Sequence, residues 1–286
     1  MPRGVARRGA VRQGRTVVAE EKARTRGAAE IDDTVPHSAR IWDYWLGGKD
    51  CYEVDREAGE RVRAVYPDIV TLARVGRHFI GRTVRYLVQE AGIRQFLDLG
   101  TGLPTVDNTH EVAQRAAPEA RVVYVDNDPL VLAHAHALLT SSPEGATDYV
   151  QAEVEDPEAV LRAAARTLDL GRPVAVMLMG ILAHVADYEE ARSIVRRLMS
   201  ALPSGSYLAV RDGTDTDPRY VKALRDYNRS GAVPYHPRSP AQVAAFLDGL
   251  ELVEPGFVPC PLWRPEAADL VFGTSSPLYG GVGRKP

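Results

Sequence analysis

The chain is poor in the residues that would commit it to a covalent scaffold, a metal centre or a membrane. Only two cysteines, Cys51 and Cys260, occur in 286 residues. They form no C-x-x-C pair and no metal-spaced set, which excludes a disulfide framework and fits a reducing compartment. No apolar run approaches the ~18 residues that a membrane helix needs. The N-terminus has no apolar segment of signal type, so a cytoplasmic protein with no membrane partner is expected. A net charge of -3 supplies no global basic field, and no nucleic-acid partner is expected. The pattern G-x-x-x-x-G-K-[ST] is missing; Gly47-Gly48-Lys49 has the wrong spacing, so a P-loop is excluded. His134 and His136 stand two apart on a predicted helix, about 200° around its axis, and cannot share one metal ion. No metal site is expected. The remaining composition, 45% hydrophobic and 26% charged, is that of a soluble globular chain long enough for one large domain or two small ones.

What is present is concentrated in two short apolar runs. Phe96-Leu97-Asp98-Leu99 ends in Gly100-Thr101-Gly102, and Val122-Val123-Tyr124-Val125 ends in Asp126. Two glycines let the backbone turn tightly and approach a ligand with no Cβ in the way. Asp126 is placed to accept hydrogen bonds from vicinal ribose hydroxyls. Thr105 to Pro118 is long enough for one crossover helix, giving a βαβ unit with a nucleoside at the strands' carboxyl ends.

Charge decides which nucleoside. A dinucleotide fingerprint needs a third glycine where Thr105 stands, and it places a pyrophosphate on the helix N-terminus. Asp98 lies two residues before Gly100, and Asp107 is expected in the first helical turn. Two like charges about 5 Å apart at an effective dielectric near 20 repel by roughly 3 kcal/mol. A pyrophosphate meets that repulsion, whereas a cofactor bearing an ammonium and a sulfonium is attracted. The pattern acid-x-Gly-x-Gly favours S-adenosyl-L-methionine over NAD.

Three regions follow from the pattern along the chain. Residues 1–35 scatter arginine and lysine among Gly, Ala and Val, the composition of a disordered basic arm. Residues 36–92 read as two or three helices, the first stopped by Gly47-Gly48, that form a cap the sheet does not need for its own core. Residues 93–286 alternate strand and helix. Strands are predicted at Gln95–Leu99, Arg121–Val125, Tyr149–Ala152, Val174–Met179 and Tyr207–Arg211, with further ones near Leu250–Val253 and at the C-terminus. Asp128-Pro129, Asp156-Pro157, Asp217-Pro218 and Ser239-Pro240 are helix starts, with an oxygen cap before a proline that presets φ. This alternation is that of a mostly parallel, doubly covered α/β sheet.

Ala39-Arg40-Ile41-Trp42-Asp43-Tyr44-Trp45-Leu46-Gly47-Gly48-Lys49-Asp50 resembles the N-terminal signature of an actinobacterial S-adenosyl methyltransferase family, formerly catalogued as a domain of unknown function. Ile93 to Thr105, Tyr124 to Pro129, Tyr227 to Tyr235 and Gly281 to Lys285 are similar to its later motifs. Cys51 departs from the asparagine common in the signature. The resemblance runs from about Ser38 to the end. It implies a class I methyltransferase (Rossmann-like) fold with a seven-stranded sheet whose last strand is antiparallel. It also implies roles: Gly100 and Gly102 touch the methionine part, Asp98 draws its ammonium, Asp126 binds the ribose, Asn127 flanks the adenine and Glu153 accepts the adenine amine. Gly180 and Tyr44 complete the expected cofactor set.

His184 follows the fourth strand and is the candidate catalytic residue, either a general base or a structural cap. Tyr235 and His236 lie in a loop expected at the mouth, as substrate contacts or a plain connection. Trp42 and Trp45 are packing residues or a stacking wall. The expected activity is methyl transfer to a small-molecule acceptor. Two other readings stay open, a non-catalytic S-adenosylmethionine-binding protein and an NAD-dependent oxidoreductase.

Overall fold

The computed structural model describes residues 32–138 and 140–286. The basic arm expected over 1–35 lies, as far as Ile31, outside the described residues. Among the described residues three helices come first: α1 (Ser38–Leu46), α2 (Glu53–Val65) and α3 (Ile69–Gln89). The alternation then runs β1 (Gln95–Leu99), α4 (Thr109–Ala116), β2 (Arg121–Asp126), α5 (Pro129–Leu138), β3 (Ala146–Gln151), α6 (Pro157–Ala164) and β4 (Ala175–Met179). It continues through α7 (Tyr188–Ser200), β5 (Tyr207–Gly213), α8 (Pro218–Tyr227) and α9 (Pro240–Ala244) to β6 (Glu251–Leu252), β7 (Val258–Pro259) and β8 (Leu278–Arg284).

The helix starts form as their sequences require. Asp156, Asp187 and Ser239 accept the amides of Ala159, Glu190 and Gln242, while Asp217 caps through Arg219 and Asp128 through Leu130. Each bond satisfies an amide that the first helical turn leaves free. α1 ends at Gly47 in the left-handed conformation, as its glycine pair predicts.

The sheet has the order β3-β2-β1-β4-β5-β8-β6, with β7 also on β8. β1 to β5 are parallel and β8 runs antiparallel to β5. This is the arrangement implied by the resemblance, with one difference. The outer edge of β8 is paired by two fragments of two residues each, Glu251–Leu252 against Arg284 and Gly283 and Val258–Pro259 against Gly280 and Tyr279. The chain turns away between them, so the sixth strand position is split and the sheet has eight strands.

Both faces are covered by apolar side chains. On one, Leu97, Val123, Val176, Leu178 and Val210 pack with residues of α6, α7 and α9. On the other, Phe96, Val122, Met177, Ala209 and Val282 share one core with Ile41, Val62, Leu72, Phe79 and Leu87 of the first three helices. The expectation that the sheet does not need these helices therefore fails for α3. That helix lies against β4, β8 and α4 and supplies the apolar cover of this face, within one compact unit of residues 33–286.

Candidate functional site

Strand alternation builds the site. Side chains two apart share a sheet face, so Phe96 and Asp98, Val122 with Tyr124 and Asp126, Met177 and Met179, and Ala209 and Arg211 all face the α1–α3 side. The register sets Asp98 beside Tyr124 and Met177, and Met179 beside Arg211. Moving toward the carboxyl ends, this face changes from apolar to charged. A cavity lies there, lined by Asp98, Asp126 and Arg211, with Ser38, Ala39, Trp42 and Asp43 of α1 along another wall.

The glycine loop has the geometry its sequence demands. Gly100 and Gly102 have φ of 67° and 68°, a region that costs an L-residue roughly 1–2 kcal/mol. A Cβ on Gly100 would stand 2.6 Å from Ile181, so that position is closed to side chains on steric grounds as well. The Gly100 amide donates to Val125 O at 2.8 Å, and the Gly102 amide to Asp126 Oδ2 at 2.8 Å. The other Asp126 oxygen accepts the Asp128 amide at 3.0 Å. Both glycines, Thr101 and Asn127 line the cavity.

Its electrostatics are those of a cation site beside a guanidinium. Burial raises the Asp98 carboxyl to about 6, against the Thr109 hydroxyl that donates to it at 2.7 Å and the nearby Arg77. Burial also raises Asp126, opposed by its two backbone donors and by His37. Two acids pushed upward this way become better carboxylates when a cation binds. Arg77, on α3, donates to Val106 O and Asn108 Oδ1, each at 3.0 Å, and so braces the loop that leads into α4. Asp107 is not in the first turn of that helix. It precedes Thr109 at φ 59°, pairs with Arg115 at 2.7 Å and is not among the residues that line the cavity.

The expected residues are brought together in part. Asp98, Gly100, Gly102, Asp126, Asn127, Gly180, His184 and Tyr235 all line the cavity. Glu153 is exposed at the end of β3 and receives the Asn127 amide nitrogen at 2.9 Å, one residue removed from the lining. Tyr44 is not at the cavity. Its hydroxyl donates to Glu60 on α2, and Trp42, two residues earlier, takes the inward position. His236 is not in the lining either; its amide donates to Ala183 O at 2.7 Å and fixes the loop. His184 sets Nδ1 3.1 Å from Pro234 O and packs edge-on to Tyr235 at 5.2 Å. The carbonyl can only accept, so Nδ1 holds the proton and Nε2 is an acceptor. Burial lowers this imidazole to about 4.

Sequence reasoning missed Arg77, Arg211 and His37, which all line the cavity. His37 caps α1 by accepting the Ala39 amide, and its Nδ1 lies 3.1 Å from Asp128 Oδ2. A signal for Arg211 existed: Arg211-Asp212 interrupts the apolar strand Tyr207-Leu208-Ala209-Val210 near its carboxyl end, where an α/β sheet binds ligands.

An acidic glycine loop, a carboxylate closing the second strand and a sheet ending in an antiparallel strand define a class I methyltransferase fold with a site for a cationic nucleoside. The chain belongs to the S-adenosyl methyltransferase family, whose sequence profile matches residues 24–286; its methyl donor is S-adenosylmethionine. It is similar to a DUF574 family protein from Streptomyces avermitilis MA-4680, at 48% identity and a TM-score of 0.86, over 90% of this chain and 100% of that one. It is also similar to a candidate methyltransferase from Thermobifida fusca YX, at 42% identity and a TM-score of 0.80, over 88% and 95%. No curated protein matches the sequence.

The residues present fit this donor. The left-handed Gly102 leaves the loop backbone open: among the described residues only Ala39 stands within 4 Å of a Cβ placed there, at 3.9 Å. Asp98 and Asp126 bring two buried carboxyls to the cavity lining, which suits a cationic ligand.

Proposed function

We propose that the protein transfers the methyl group of S-adenosylmethionine to a small-molecule acceptor, in the cytoplasm, from the cavity at the carboxyl ends of β1, β2 and β4. The observation that supports this best is the pairing of Gly102 and Asp126 across a loop whose buried acids, Asp98 and Asp126, suit a cation and repel a pyrophosphate. In this reading Asp98 holds the ammonium, Gly100 and Gly102 admit the methionine part, and Asp126 takes the ribose hydroxyls. Asn127, oriented by Glu153, flanks the adenine, and Gly180 keeps the end of β4 open beside the reacting centre.

When bound, S-adenosylmethionine supplies a methyl group already activated on a sulfonium, so holding the acceptor in line is the main task of the chain. His184 serves that task by position. Held neutral by burial, its free Nε2 can accept a hydrogen bond from an acceptor hydroxyl, but a base at about 4 takes little of its proton at neutral pH. Tyr235 keeps His184 in place through the edge contact, and its hydroxyl accepts the Gly213 amide at 2.8 Å.

Release of S-adenosylhomocysteine from S-adenosylmethionine, measured against a panel of small phenols, carboxylates and amines, tests the reading. Multiple turnovers with some acceptors and none without an acceptor are expected. Tight donor binding with no turnover across the panel would instead describe a silent binder.

A further inference from the structure

Arg211 is a buried cation that, among the described residues, forms no salt bridge; the carboxyls of Asp212 and Asp98 act on it only from farther away. It is 5% exposed on β5, and among the described residues no carboxylate lies within 4.0 Å of its guanidinium. Nη2 donates to Met179 O, while Nε has no hydrogen-bond partner among the described residues. The position is nevertheless built for it. A Cβ on Gly76 of α3 would stand 2.8 Å from Nη1, and one on Gly180 would stand 3.1 Å from Nη2, so two glycines make the room. The Trp42 ring lies 5.3 Å from the guanidinium carbon. A guanidinium buried in such a place is costly unless an anion pairs with it.

Beside Arg211 the cavity presents aromatic groups, Trp42 of α1 and Tyr220 of α8, and its lining also includes the aliphatic Ile69, Ile80 and Leu224. We propose that the cavity beside Arg211 is the acceptor subsite and that it takes a flat aromatic carboxylate, its ring among these groups and its carboxylate on Arg211. The inference rests on the methyltransferase reading and names its substrate class. The obvious competitor for Arg211 is the carboxylate of the methyl donor. Arg77 is better placed for that group. It braces the loop after Gly102 and acts on Asp98 more strongly than Arg211 does, so the donor's ammonium and carboxylate find Asp98 and Arg77 side by side. The donor's charged groups then have Asp98 and Arg77, and the guanidinium of Arg211, which forms no salt bridge among the described residues, is left for the anionic acceptor.

The test is calorimetric titration of benzoate, 4-hydroxybenzoate and 1-hydroxy-2-naphthoate, each against its methyl ester, into protein saturated with S-adenosylhomocysteine. At least one acid is expected to bind roughly ten- to a hundredfold tighter than its ester, the span of a charge-assisted hydrogen bond. Arg211→Met should remove that preference, with a loss for the acid at least tenfold larger than any loss for S-adenosylhomocysteine, and Arg211→Lys should keep part of it. Trp42→Leu, which leaves the cation in place, should weaken the bicyclic acid more than benzoate. The inference is overturned if esters bind as well as acids, if no acid binds, or if Arg211→Met weakens S-adenosylhomocysteine as much as it weakens the acid. The acid-ester comparison on the unaltered chain decides the matter even if an Arg211 variant does not fold. Failure of S-adenosylhomocysteine itself to bind would instead refute the methyltransferase reading.

Discussion

Asp126 accepts the Gly102 amide at 2.8 Å, so the acid that closes the second strand braces the loop that closes the first. One carboxylate thereby sets the loop and lines the cavity, where in the proposed function it takes the ribose. Replacing Asp126 with Ala removes both functions at once. Charged hydrogen bonds contribute about 1.5–3 kcal/mol each, so the affinity for S-adenosylhomocysteine should fall roughly ten- to a hundredfold. Calorimetry measures this, and a thermal melt of the same variant checks that the fold survives. An unchanged dissociation constant would mean that the ribose is held elsewhere.

Asp98 should make ligand affinity and stability respond to pH in opposite directions. Burial raises its carboxyl from 3.8 to about 6, so between those values the folded chain binds more protons than the unfolded one. Its contribution to stability is therefore lost as pH rises from about 4 to 6. Affinity for a ligand ammonium rises over the upper part of that window, because only the ionised carboxyl attracts it. S-adenosylhomocysteine should bind several-fold tighter at pH 7 than at pH 5.5, and Asp98→Asn should flatten this rise while lowering affinity throughout. Affinity that is flat with pH in the unaltered chain would remove Asp98 from the ammonium site.

Much of this site was legible because its chemistry is local. Gly100, Gly102 and Asp126 follow from strand ends and turn conformation, and the capped helix starts from their own dipeptides. Tyr44 was misplaced because Trp42, Tyr44 and Trp45 crowd one short helix, and which of them faces inward is set by α2, where Glu60 takes the Tyr44 hydroxyl. Arg211 was missed because its burial depends on Gly76 and Gly180, far away in sequence. The role of α3 as cover for the sheet could not be read from its own amphipathic pattern, which fits any partner surface. The split edge of β8 depends on pairings of two residues each, too short for a periodic signal.

His184 gives a prediction of the other sign. Its folded value, about 4, lies below the ordinary 6.5, so the unfolded chain takes up the proton first as pH falls. The residue should cost stability, on the order of 1 kcal/mol by pH 5, over the window from about 6.5 down to 4. Urea melts at pH 7 and pH 5 should show this loss in the unaltered chain and a smaller one in His184→Gln. Equal losses in the two proteins would mean that the imidazole titrates freely in the folded state.

α1 should act as a lid. Ser38, Ala39 and Trp42 line the cavity, and α1 is joined to α2 through the left-handed Gly47, a place where backbone motion is inexpensive. Hydrogen exchange across residues 38–52 should slow when S-adenosylhomocysteine is added. Identical exchange with and without the ligand would reduce α1 to a fixed wall.

In the proposed function this cavity binds the cationic methyl donor and refuses a dinucleotide, whose pyrophosphate the buried acids Asp98 and Asp126 would repel. Parallel calorimetric titrations of S-adenosylhomocysteine and NAD into the unaltered chain test it most directly. One S-adenosylhomocysteine per chain is expected, with binding weakened in Asp126→Ala, and no saturable heat from NAD. Saturable NAD binding with no response to S-adenosylhomocysteine would contradict it.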